Sequence, residues 1–197
     1  MRYDERVLTP RAWTQAQSEW AAALSGELPD GAILELCSGA GHIGLLTLAL
    51  THRTGRGRRL VCVDRNPAAA ELTKVNADAA GLVSYVEVRC DDLGSALRPE
   101  ERYPLVIADP PWVARADVAR FPGDPVPAID GGVDGLEVAR RCIRVIETHL
   151  APGGAAILQL GYAEQVDGLT AALKASQLEV VEVRVEQRGV LVQLAGA

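Results

Sequence analysis

The chain has 197 residues, 48% hydrophobic and 23% charged, which fits one soluble globular domain over 1–197 with enough chain for a sizeable core. A net charge of −6 speaks against unaided binding of a nucleic-acid backbone, where affinity comes from Lys and Arg, and so favours protein or small-molecule partners over free nucleic acid. No apolar run reaches the ~18 residues of a membrane span, and MRYDERVLTP carries no apolar signal region, so the expectation is a cytoplasmic protein with no membrane partner.

Residues 1–30 read as an N-terminal arm and helix. AWTQAQSEWAAAL (12–24) has Trp13, Ala16, Trp20 and Leu24 near helical spacing, which casts both tryptophans as core anchors. AILELCS (32–38) is a short apolar strand, HIGLLTLALTH (42–52) a helix, and RLVCVD (59–64) a second strand. Asn66-Pro67 opens a helix that Gly81 closes. VSYVEVRC (83–90) and YPLVIAD (103–109) are the next strands. An irregular stretch over 121–132 precedes a helix expected from about Val133 to Leu150, after which APGG (151–154) turns into the strand AAILQLGY. A last helix to about Gln177 leads into two alternating strands joined at Arg188-Gly189. This alternation predicts an α/β fold: a mostly parallel sheet, helices on both faces, and an antiparallel closing pair.

SGAGHIG (38–44) contains Gly39-x-Gly41-x-x-Gly44 between a strand and a helix, and Asp64 ends the next strand. An adenosine cofactor at the carboxyl edge of a parallel sheet needs these parts, and a nicotinamide dinucleotide needs them equally. Three acids separate the two. Glu35 stands before the loop, where a cationic amino group can approach; Asp64 suits a ribose diol; Asp92 suits an adenine amine. Taken singly, each is as well explained as a solvated strand-end carboxylate. Together they describe a cofactor with an amine, a ribose and an adenine but no phosphates, which is S-adenosyl-L-methionine. Ser38, Gly39 and Gly41 in the loop, and Arg65 and Leu93 beside the acids, belong to the same expected site.

IADPPWV (107–113) supplies the chemistry. Each proline holds the residue before it extended, so Asp109 and Pro110 cannot enter a helix and the Pro110 carbonyl lacks a helical donor. That carbonyl and the Asp109 carboxylate form two acceptors for the hydrogens of one planar NH₂ group, with Trp112 stacked on its face. Asp109, Pro110, Pro111 and Trp112 are the expected catalytic residues, acting mainly by orienting the nitrogen. Whether Asp109 also acts as a base stays open.

VLTPR, ELCSGAGHIGLL, VDRNPAA, DDL, IADPPWV, DGGVDGLEVARR and APGGAAILQLGY occur in one order between about residues 7 and 162. The chain resembles the class I S-adenosylmethionine-dependent methyltransferases. Within them it is similar to the methyltransferase small domain group and the catalytic domain of release-factor glutamine methyltransferases. The resemblance implies a Rossmann-like sheet in the order 3-2-1-4-5-7-6 and N-methylation of a planar amide or amino nitrogen in a protein side chain, a nucleobase or a small molecule. Two features depart from that family. At most 30 residues precede the first strand where a helical domain usually stands, and Asp-Pro-Pro-Trp replaces Asn-Pro-Pro-Tyr. The Asp form resembles enzymes that methylate exocyclic amines. An NAD(P)-dependent oxidoreductase and a non-catalytic partner subunit remain as alternatives.

The remaining polar features are discounted. Cys37, Cys62, Cys90 and Cys142 have no close pair and read as small core residues, with no metal site expected. Arg53, Arg56, Arg58 and Arg59 read as a solvated turn far from the carboxyl edge, and Arg115 and Arg120 as surface residues or as part of the substrate mouth. His42, inside the glycine loop, is placed either against the cofactor or in helix packing, with packing preferred. Nothing in the sequence speaks to oligomeric state.

Overall fold

The computed structural model describes residues 1–196. Its strands are β1 (Ile33–Leu36), β2 (Leu60–Asp64), β3 (Val86–Cys90), β4 (Tyr103–Ala108), β5 (Leu150–Leu160), β6 (Leu178–Val185) and β7 (Val190–Gly196). They form one sheet in the order β3-β2-β1-β4-β5-β7-β6. The first five run parallel, and β7 is antiparallel to both of its neighbours. The helices are α1 (Gln15–Ser25), α2 (His42–Arg53), α3 (Pro67–Ala79), α4 (Val126–Ile129), α5 (Glu137–His149), α6 (Glu164–Gly168) and α7 (Thr170–Lys174). The fold is the mostly parallel α/β sheet that the alternation predicts, with the expected strand order.

Strand side chains alternate faces, and this sorts the core into two layers. Ile33, Leu60, Leu105 and Ile107 pack against Trp20 of α1 and Ile43 and Leu48 of α2. Leu34, Leu36, Val106 and Ala108 pack against Cys142, Ile143 and Ile146 of α5. Full burial of each large aliphatic side chain contributes roughly 1.5–3 kcal/mol. A sheet gripped on both faces therefore holds its carboxyl edge rigid, and the site lies along that edge.

Several local expectations are corrected. The buried face of α1 is Gln17, Ser18, Trp20, Ala21 and Ser25 rather than the tryptophan stripe. Gln17 and Ser18 tolerate burial because they bond to main-chain carbonyls: Gln17 Nε2 to Ala108 and Ile157, and Ser18 Oγ to Ile43. Trp13 stays half-buried, with the Arg11 and Arg188 guanidiniums 5.7 and 5.4 Å from its ring centre. The long helix starts at Glu137, not Val133, because Gly132 and Gly135 take φ of 94° and 77°, left-handed values that break a helix. The 121–132 stretch contains the short α4, and the last expected helix is two short pieces meeting at Leu169. APGG lies inside β5, where the register with β4 shifts between Tyr103 and Leu105. Residues 83–85 form a 3-10 turn ahead of β3.

The arginine turn is not solvated throughout. Arg58 is 5% exposed, and its guanidinium donates to the carbonyls of Ser25, Leu28, Pro29 and Gly31, tying the end of α1 to the edge of the sheet opposite the site. Cys62 and Cys142 are buried as expected, Cys37 is half-buried, and Cys90 is exposed. Among the described residues no group of His, Cys, Asp and Glu is arranged to hold a metal ion, and no helix is long and apolar enough to cross a membrane.

Candidate active site

A cleft with about 980 Å³ of empty space, its open mouth included, runs along the carboxyl ends of β3, β2, β1 and β4. Of the expected site residues, Ser38, Gly39, Asp64, Arg65, Asp92, Leu93, Asp109 and Pro111 line it. Glu35, Gly41, Pro110 and Trp112 do not.

Each absence has a physical reason. Glu35 shares strand parity with Ile33, so its side chain points to the α2 face rather than into the cleft. It is 2% exposed; Oε1 accepts the Gly44 N–H at 2.8 Å, and Oε2 takes the Cys62 thiol at 3.3 Å. Gly41 caps α2 with φ 78°, and a Cβ there would lie 2.8 Å from Thr73 Cγ2. Its place is the contact with α3. Pro110 is buried beneath the loop. The Trp112 ring lies against Gly161, where an added Cβ would stand 2.3 Å from Cε3. It meets Tyr162 edge-on at 6.2 Å. Both rings face a second hollow, which Trp13 and Arg188 also line.

The loop over 109–113 is braced from behind. Val113 exchanges main-chain bonds with the end of α4 and the segment after it: its N–H donates to Ile129 at 2.9 Å, and its carbonyl accepts from Gly131 at 2.9 Å. Gln165 Nε2 donates to the Trp112 carbonyl at 2.9 Å. A Cβ on Gly135 would stand 2.5 Å from that carbonyl oxygen, so the DGGVDGL motif wraps the loop too closely for side chains. Arg115 and Arg120 form exposed ion pairs with Asp130 and Asp117 and do not line the cleft.

Along the cleft the acids differ in state. Asp64 accepts the N–H groups of Gly39 and Asn66, both at 2.8 Å, and burial raises its pKa. Asp92 is half-buried and bonds to Arg141 and to the Gly94 N–H, and the Arg141 bond holds its pKa below the usual range. The Asp109 carboxylate takes no hydrogen bond among the described residues, and burial raises it to about 7. Burial likewise raises Glu35 to about 7, with smaller contributions from the charges of Asp109 and Asp64. Carboxyl groups beside the glycine loop suit a ligand bearing a cation, which would favour their ionised forms, and disfavour a pyrophosphate. Ser38 Oγ and His42 Nδ1 are buried without partners. Both residues line the cleft, where a ligand's polar groups could meet them.

Sequence reasoning missed Arg141; His42, for which helix packing was the preferred reading, and Val7 and Leu8 of the arm line the cleft as well. The arm docks through Val7, 3% exposed among Ala40, Ala69 and Leu72, and through an Arg11–Asp124 ion pair at 2.6 Å. VLTPR was a visible signal for the arm; Arg141 had none, since its partner lies 49 residues away.

Residues 20–121, just over half of the chain, match the family described as methyltransferase small domain. The chain belongs to that family. A member from Bradyrhizobium diazoefficiens, named ribosomal protein uL3 glutamine methyltransferase, is 32% identical over 80% of this chain and 52% of its own length. Another, from Cereibacter sphaeroides, is named release factor glutamine methyltransferase and is 31% identical over 91% of this chain and 64% of its own length. The chain thus spans about half to two thirds of these two relatives. In fold it is similar to the ribosomal protein L11 methylase of Lactobacillus delbrueckii subsp. bulgaricus, with a TM-score of 0.70, 12% identity, and coverage of 99% of this chain and 84% of that one. It is also similar to a human methyltransferase 10 domain containing protein, with a TM-score of 0.67, 16% identity, and coverage of 100% and 88%. The family match favours the methyltransferase reading over the dinucleotide one that the glycine loop had left open.

Proposed function

We propose that this chain is an S-adenosylmethionine-dependent N-methyltransferase that modifies a side-chain amide of a protein, with glutamine as the acceptor and a component of the translation machinery as the partner. The observation that carries the reading is Asp109: an unpaired carboxylate at one end of a cleft whose other end offers Asp64 and Asp92. The names of the two relatives support the choice of acceptor.

S-adenosylmethionine, when bound, supplies a methyl group already activated on a sulfonium. The chain's residues do the rest. Asp64 keeps lone pairs for ribose hydroxyls beyond the two N–H groups it already accepts. Asp92, kept ionised by Arg141, accepts from the adenine amine, with Leu93 and Arg65 beside it. Ser38 and the Gly39 backbone meet the amino-acid part. Asp109 and the Pro110 carbonyl each take one hydrogen of the acceptor amide, which directs the nitrogen lone pair at the methyl carbon. An amide nitrogen gathers little basicity, so on this acceptor the orientation does most of the work and the Asp109 charge adds a smaller stabilisation. A carboxyl group near 7 can also hold the proton that leaves the nitrogen.

The test is transfer of labelled methyl from S-adenosylmethionine into size-fractionated cell extract, followed by hydrolysis of each fraction. Label recovered as methylated glutamine from the protein fraction is the expected result. Label in the nucleic-acid or small-molecule fraction overturns the choice of acceptor, and no transfer to any fraction overturns the activity.

A further inference from the structure

His42 has no part in that scheme, yet it opens α2 and lines the cleft. Its Nε2 lies 3.1 Å from Thr14 Oγ1, which in turn lies 2.7 Å from the Arg11 carbonyl oxygen. Two oxygens at that separation share a proton, and a carbonyl has none to give. The Thr14 hydroxyl therefore donates to Arg11 and offers His42 only lone pairs. Nε2 must carry the ring proton. Burial depresses the ring's pKa to about 4, so it is neutral at physiological pH. Nδ1 is left as a bare acceptor, buried and without a partner in the chain.

Its position selects what it can meet. Thr14 leads directly into α1, which packs on β4 and β5. His42 thus opens α2 beside the α1 arm and lines the same cleft as Asp109. Glu35, whose place in the sequence suggested it for a cationic amine, is sealed below the loop with both oxygens engaged. An acceptor on the cleft wall is still needed for that amine.

We propose that His42 is a cofactor-binding residue whose Nδ1 accepts a hydrogen bond from the α-ammonium group of the methionine part of S-adenosylmethionine. The inference rests on the reading of the cleft as the S-adenosylmethionine site. It gives the arm a further role, because Thr14 sets the tautomer that makes Nδ1 an acceptor. The arm and the cofactor then meet through one imidazole.

Two ligands and two variants test it by calorimetry. S-adenosylhomocysteine carries the ammonium; methylthioadenosine keeps the adenosine and the sulfur but lacks the amino-acid part. His42→Leu removes the acceptor, and His42→Asn restores one near the Nδ1 position. The leucine variant is expected to lose about tenfold in affinity for S-adenosylhomocysteine, and the asparagine variant less than about threefold. Methylthioadenosine should bind all three proteins alike. NMR of the histidine ring nitrogens in the parent should show Nδ1 unprotonated and shifted when S-adenosylhomocysteine binds. A protonated Nδ1, equal losses for both ligands in His42→Leu, or no loss at all overturns the proposal. A parent protein that binds neither ligand overturns the cofactor reading beneath it.

Discussion

The side-chain amide of Gln17 donates to the Ala108 carbonyl at 3.1 Å, one residue before Asp109, and the same nitrogen reaches the Ile157 carbonyl at 3.1 Å. One polar side chain on α1 thus clasps the end of β4, where the candidate catalytic loop departs, to the interior of β5. Gln17→Leu keeps much of the volume and leaves two buried carbonyls unpaired, so it should destabilise the fold by about 1–3 kcal/mol in urea unfolding. Because the clasp sets the peptide before Asp109, methyl transfer should fall further than affinity for S-adenosylhomocysteine. An equal fall in both would assign Gln17 to stability alone.

Asp109→Ala should bind S-adenosylhomocysteine nearly as the parent does, while methyl transfer drops roughly 10²–10³-fold through loss of the orienting acceptor and its charge. Asp109→Asn keeps one acceptor oxygen and should retain much of the rate on an amide, whose nitrogen gathers little basicity. A steep loss in the asparagine variant would point to an amine acceptor.

The same carboxyl group links stability to pH. Its pKa is raised from 3.8 to about 7 by burial, so the folded state binds more protons than the unfolded chain between those values. Its stabilising contribution is complete below about 4 and disappears as pH rises through about 7. Asp109→Asn should therefore stabilise the fold more at pH 8 than at pH 5, as read by chemical unfolding at the two values. An equal effect at both would place the Asp109 carboxyl in the ordinary range.

Glu35→Gln keeps an acceptor for the Gly44 N–H and removes a buried charge whose pKa burial raises from 4.5 to about 7. By the same sign it should stabilise the protein above neutral pH. Affinity for S-adenosylhomocysteine should stay within about threefold of the parent's. A loss of tenfold or more would mean that Glu35 meets the ligand after all.

Arg58→Met strips four carbonyls of their shared donor at the edge opposite the site and should cost roughly 3 kcal/mol of stability. Arg58→Lys should recover only part of it, since an ammonium cannot reproduce the planar fork. Neither change should alter kcat/KM at a temperature where the variant is folded. A kinetic defect in fully folded protein would show that the two edges are coupled.

Local pattern by itself determined the element order, the strand ends bearing Asp64, Asp92 and Asp109, and the extended backbone that two prolines impose after Asp109. These depend on neighbours in the chain, on alternation and on breakers, and so are written in consecutive residues. The cofactor was read from the glycine loop and three acids, one of them misplaced, and the sheet order came with the family resemblance, which the motif order carried. Glu35 was misplaced although its parity with Ile33 was legible, since period-two alternation sends both to the α2 face. Other features only the tertiary structure decided: Gln17 at the β4–β5 seam, Arg141 on Asp92, the Thr14 contact that fixes the His42 tautomer, and the turn of Trp112 away from the cleft onto Gly161. Each joins segments far apart in the chain, up to 140 residues for Gln17 and Ile157. A hydrogen bond or a ring contact depends on the partner's place in space, and neither residue's own neighbourhood specifies that.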